Sequence, residues 1–159
     1  MMCSDEIKAP KLNLLEKGQS LVELGVSLVL LLIILAGIVD LGRAVIVHFI
    51  LQDAAEEGIL YGTSFPTDCN QITMRIRDNL NMGFIKSSVN VSIKIEDDSG
   101  HYASCYSIPN AQVYSGKLMQ IELKNDFTLT MPFLGTFVGG QVIPIDVQST
   151  GMVLRPPPP

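Results

Sequence analysis

Few side chains in this sequence could do chemistry, and they are scattered. Histidine occurs twice, as His48 in a helical stretch and His101 in a turn-rich one, and a lone imidazole in such places ordinarily packs or faces water. His101 and Cys105 would have to share a helix to touch one metal ion, which the neighbouring Ser99-Gly100 disfavours, and a closed zinc site needs ~4 ligands. Glu96, Asp97 and Asp98 carry enough charge to attract calcium, yet just before Ser99-Gly100 they read as a solvated hairpin turn. Asn90-Val91-Ser92 has the form of a glycosylation sequon but falls inside a predicted strand. No phosphate-cradling glycine loop, HExxH or nucleophile elbow occurs. The inventory points away from an enzyme, and neither a cofactor nor a metal is expected.

One acid stands where its surroundings force a role on it. From Leu24 to Val39 no residue is charged and Ser27 is the only polar side chain. A helix from Leu21 to Val39 is about 28 Å long at ~1.5 Å per residue, close to the ~30 Å of a bilayer's hydrocarbon core. Glu23 lies inside the start of this run, where a lipid-facing carboxylate is unfavourable unless it reaches the interface or a cation. Two readings account for it. The unpaired N–H groups of a helix's first turn favour an acid by ~0.3–1 kcal/mol. Alternatively, Gly18-Gln19-Ser20-Leu21-Val22-Glu23 resembles the processing site of type IV pilin-like precursors, cut after the glycine. Cleavage there would make Glu23 the fifth residue of the mature chain and free an α-amine on Gln19 as its charge partner.

The resemblance extends downstream. Asp40-Leu41-Gly42-Arg43, then Leu51-Gln52-Asp53-Ala54-Ala55-Glu56-Glu57-Gly58 and Tyr61-Gly62, is similar to the TadE-like family of tight-adherence pilus pseudopilins. The likeness is strongest from Gly18 to Gly62, and Met131-Pro132-Phe133-Leu134-Gly135 also fits. It implies a pilin-like structural subunit, processed by a prepilin peptidase and assembled into, or required for, a type IV-like tight-adherence pilus. The implied partners are that peptidase, other pilin-like subunits, the inner-membrane assembly machinery and the lipid bilayer. The alternative is a single-pass anchored module that binds a partner outside the cytoplasm and stays in the membrane.

Composition narrows the field further. A net charge of −5 and a pI near 4.9 argue against nucleic acid as partner, which requires clustered Lys and Arg. Lys8, Lys11 and Lys17 precede the apolar run and only Arg43 follows closely, which places the N-terminus in the cytoplasm and the larger part across the membrane. The destination is the cell membrane or, after assembly, an extracellular pilus. A cleavable secretory signal with a cut near Ala36-Gly37 competes, but such signals have apolar cores of only ~7–15 residues. Residues 1–18 therefore read as a cytoplasmic leader, 19–61 as a long helix with its span at about 21–39 and a stalk at 40–61, 62–155 as an extracytoplasmic head, and 156–159 as a polyproline tail. Cys3 belongs to the leader. Cys69 and Cys105 fall outside the cytoplasm, where thiols oxidise, and are expected to form a disulfide.

Periodicity supplies the head's elements. Ala54, Gly58 and Gly62 at spacing four offer a smooth helical stripe against which a domain or neighbouring subunit could pack closely; otherwise Gly62 caps a fraying end and Pro66 stops it. Ile72, Ile76 and Leu80 lie one turn apart between an N-cap at Thr67 or Asp68 and Gly83, predicting a short helix with one buried face. Val89-Val91-Ile93-Ile95, Met119-Ile121-Leu123 continuing through Phe127-Leu129-Met131, and Ile143-Ile145-Val147 alternate with polar residues as one-sided strands do. Tyr102 to Tyr114 stays open between strand and loop. The predicted fold is α+β and pilin-like: a long N-terminal membrane helix, then a small head with a short helix and an antiparallel sheet of about three strands.

Overall fold

The computed structural model describes residues 14–80, 85, 89–131, 135–136 and 139–156. The expectations for most of the leader, Cys3 included, and for Gly83, Pro132 to Leu134 and Pro157 to Pro159 lie outside the described residues. Two helices, α1 (Leu14–Ser64) and α2 (Cys69–Leu80), precede four strands: β1 (Asn90–Glu96), β2 (Tyr102–Ser104), β3 (Leu118–Thr128) and β4 (Val142–Met152). Contacts divide the chain into two compact units, Met1–Ile38 and Val39–Pro159.

In the first unit, α1 exposes every residue from Gly18 to Leu35. Among the described residues α1 is the one helix long and apolar enough to cross a membrane. Its content, mostly Leu, Val and Ile with Ser27 as the one polar side chain between Leu24 and Val39, leaves no polar face for water.

The second unit is an α+β head. The stretch read as a stalk at 40–61 is the head's central helix. Val47, Leu51, Ala54, Ala55 and Ile59 are buried in the core, and the helix runs three residues past Tyr61 to Ser64. Gly62 therefore lies within the helix rather than capping it, and Phe65 N–H bonds back to the Tyr61 carbonyl at 3.0 Å. Small residues let this helix approach the sheet closely. A Cβ on Gly58 would stand 2.7 Å from Ile76 Cγ1 and 2.9 Å from Ile121 Cδ1, and one on Gly62 2.5 Å from Met119 Sδ.

Helix α2 starts where Asp68 Oδ1 accepts the Gln71 N–H at 3.3 Å, and it buries Cys69, Ile72, Ile76 and Leu80 at the predicted helical spacing. The antiparallel sheet has the order β2-β1-β3-β4, four strands rather than about three. The added strand, β2, has only three residues, too few to display a two-residue period, and it is defined by pairing Lys94 with Ser104 and Glu96 with Tyr102. Strand β3 is central. Ile93 faces Ile121 from one side and Val147 faces Leu123 from the other, so the inward residues of all three predicted strands form one face. Helices α1 and α2 cover that face. Asn125 occupies an inward position in β3 and is buried with its apolar neighbours.

Cys69 at the start of α2 and Cys105 just after β2 are joined by a disulfide, with Cα atoms 6.0 Å apart. The bond ties the short edge strand to the helix layer and closes a loop of 36 residues. Cys105 Sγ is thereby committed and cannot join His101 as a metal ligand.

Candidate functional site

The predicted site residues fall into separate groups. Gly18 and Gln19 lie on exposed turns of α1, with open space around Gly18 out to 4 Å. Glu23 is exposed one turn beyond Gln19, and among the described residues it has no ion-pair partner. An i, i+4 spacing places the Gln19 backbone nitrogen and the Glu23 carboxylate on adjacent turns, within a side chain's reach of one another. Ala54, Gly58 and Gly62 face inward, and Gly58 and Gly62 pack against α2 and β3 of the same chain.

Sequence reasoning missed the use made of Asp40 and Arg43. In the sequence Asp40 enters only as part of a motif and Arg43 only through that motif and the charge bias. Asp40 is 2% exposed, the only charged residue in the head's interior among those described. Its Oδ2 accepts the backbone N–H groups of Thr130 at 3.0 Å and Met131 at 2.9 Å, just beyond the end of β3. Arg43, one turn further along α1, donates to Asp40 Oδ1 at 3.2 Å and to the Thr130 hydroxyl, and its guanidinium lies 5.4 Å from the Phe127 ring centroid. These bonds complete the hydrogen bonding of a backbone that leaves the sheet, and so fasten β3 to α1 at Asp40. A usable clue was present: an acid that closes an apolar run three residues before an arginine needs a reason to be there.

The acidic turn between β1 and β2 is likewise committed to its own fold. Asp97 Oδ1 accepts the N–H groups of Ser99 at 2.8 Å and His101 at 2.9 Å, and Gly100 takes the positive φ of 79° that the turn requires. The His101 N–H, followed by that of Ser99, holds the Asp97 carboxyl below the usual aspartate range. Asp98 accepts from the Tyr114 hydroxyl at 2.8 Å and pairs with Lys117 at 3.0 Å. Among the described residues no group of three or more His, Cys, Asp or Glu is placed to hold a metal. Between α1 and α2 a shallow groove is crossed by the Arg75–Glu57 ion pair at 3.2 Å and the Asn79–Asp53 hydrogen bond at 3.2 Å.

A helix long and apolar enough to cross a membrane thus continues as the core helix of a disulfide-closed α+β head. Compared with known proteins, residues 18–59 match the family described as TadE-like protein. The match begins at Gly18 and covers most of α1, including its Asp40–Arg43 pair and the inward Ala54 and Gly58. No curated protein and no solved structure matches the chain. The likeness noted in the sequence is thus shown over the helix, and it supports a pilus-associated, pilin-like protein anchored in a membrane.

Proposed function

We propose that this chain is a non-enzymatic structural subunit of a tight-adherence pilus system: a prepilin peptidase removes its leader after Gly18, and the mature helix is held in the membrane until the assembly machinery packs it with other pilin-like subunits. The observation that carries this reading is the TadE-like match, which opens at the glycine of the processing motif and runs through the apolar helix. In the proposed topology the N-terminus is cytoplasmic and the head lies outside, in keeping with the Lys8, Lys11 and Lys17 bias and with a disulfide in the head.

Glu23 has the central part. Its carboxylate pairs with the α-amine of Gln19 in an adjacent subunit and sets the axial register of helices entering the filament. In a low-dielectric surround such a pair adds little net stability, because desolvation offsets its attraction, whereas a misregistered neighbour strands a charge at a cost of several kcal/mol. That asymmetry selects the register. Intact-mass spectrometry of the protein from its native membrane tests the reading. A mature chain beginning at Gln19 supports it; retention of residues 1–18 in most molecules would point to a permanent anchor, and a cut near Ala36 to a secreted domain.

A further inference from the structure

The outward side of α1 remains apolar well beyond the acid that closes the uncharged run. Within the head, Leu41, Val45, Ile46 and Phe49 are exposed, Phe49 at 65%. At ~100° per residue they group on the side of α1 opposite Asp40, Val47, Leu51 and Ala54, which are buried. The two charges in these turns are absent from that side: Asp40 is buried beneath the Thr130 and Met131 N–H groups, and Arg43 is drawn toward Asp40, Thr130 and Phe127. Exposed His48, at the margin of this side next to Leu41, is the polar side chain that precedes Gln52, Asp53 and Glu56, where Gln52 Nε2 donates to Glu56 at 2.7 Å. Asp40 closes the apolar run in the sequence without closing it on the helix surface.

We infer that the Leu41–Val45–Ile46–Phe49 side of α1 is covered by lipid of the leaflet on the head's side, so that the membrane boundary on this side lies at Gln52 and not at Asp40. This inference rests on the membrane-held helix of the proposed function. Its first support is length: from Glu23 to Gln52, the polar residues that bracket the stretch, α1 rises about 44 Å at ~1.5 Å per residue, which matches the ~40–45 Å of a bilayer with its headgroup layers. The uncharged run alone matches only the hydrocarbon. Its second support is the end of the apolar strip. A seam between two helices would continue along the following turns, whereas here Gln52, Asp53 and Glu56 interrupt this side before exposed Leu60. The consequence for assembly is that extraction must strip lipid from turns that already belong to the head.

Site-directed spin labelling of the full chain tests this, with Cys3→Ser removing the thiol outside the disulfide. Single labels are introduced through Ile34→Cys, Val45→Cys, Phe49→Cys and Asp53→Cys, all at exposed positions, in vesicles of phosphatidylethanolamine and phosphatidylglycerol. Their relaxation by oxygen, which concentrates in lipid, is compared with relaxation by a neutral nickel chelate confined to water. The expected result is an oxygen-to-nickel ratio that falls from position 34 through 45 to 49 and at both 45 and 49 stays clearly above that at 53. A lipid signature at 34 with a water signature at 45 and 49 overturns the inference and leaves the anchor standing. Low access to both agents at 45 and 49, with dipolar broadening, overturns it in favour of a second copy. A water signature at 34 refutes the membrane-held helix itself and the inference with it.

Discussion

Replacing Asp40 by alanine takes away the acceptor of two backbone N–H groups at the end of β3 and leaves the Arg43 guanidinium without its carboxylate. Hydrogen bonds to a charged group contribute roughly 1.5–3 kcal/mol each, so the pair to Thr130 and Met131 is worth about 3–6 kcal/mol. The Arg43 pair adds little to this, because the Arg43 side chain is 47% exposed and solvent-screened pairs contribute ~0–1 kcal/mol. Since the Asp40 side chain is only 3% exposed, water does not take over the lost bonds without rearrangement of the loop. The total is a large share of the ~5–15 kcal/mol that stabilises a typical domain. Asp40→Asn keeps the shape and one acceptor oxygen but loses charge assistance and turns an amide toward Arg43, so its loss should be intermediate, about 1–3 kcal/mol. Guanidinium unfolding of the full chain in detergent, followed by head ellipticity, gives the two losses. Amide exchange at Thr130 and Met131 shows whether they arise where expected, through selective acceleration of those two protons. An Asp40→Ala protein within about 0.5 kcal/mol of the parent, with both amides still protected, would refute the fastening role.

Other perturbations probe the remaining contacts. A Cβ on Gly151 would stand 2.5 Å from Ile59 Cγ2 and 2.9 Å from Thr63 Cγ2, so Gly151→Ala should destabilise the head by about 1–3 kcal/mol in the same unfolding assay; an unchanged midpoint would contradict the close approach of α1 to β4. Removing the disulfide with Cys69→Ser and Cys105→Ser together should lower stability by about 3–4 kcal/mol, as expected from chain entropy for its loop, and an unfolding midpoint insensitive to reductant would speak against this. Glu122 is held below the ordinary glutamate value of 4.5, first by the Lys124 ammonium and then by Lys94. Its contribution is therefore present above that ordinary value and lost as pH falls through the depressed one, so Glu122→Gln should flatten the acid limb of a stability-against-pH curve; parallel curves for parent and variant would exclude the pairing. Glu23→Gln should leave expression, insertion and cleavage near normal while depleting the protein from sheared filaments, and wild-type incorporation in competition with the parent would end the register hypothesis.

The sequence by itself determined the elements that depend on local pattern. The uncharged run dictated an apolar helix, because a stretch made up mostly of Leu, Val and Ile has no other way to satisfy its backbone in lipid. Ile72, Ile76 and Leu80 dictated the short helix, and the two-residue alternation of Met119, Ile121 and Leu123 dictated a half-buried strand. The glycine and glutamate of the candidate processing site were legible for the same reason, since their meaning lies in spacing along one helix. What depends on partners far apart in the chain was decided by the tertiary structure. Only the packed head shows what the helix at 40–61 lies against, because Gly58 and Gly62 accept either a neighbouring subunit or the chain's own sheet equally well until Ile76, Ile121 and Met119 fill the space beside them. Strand β2 is too short to announce itself and exists through its pairing with β1. Asp40 looked like the polar end of a membrane run, yet the N–H groups that hold its carboxylate lie 90 and 91 residues away, a distance that no local pattern spans.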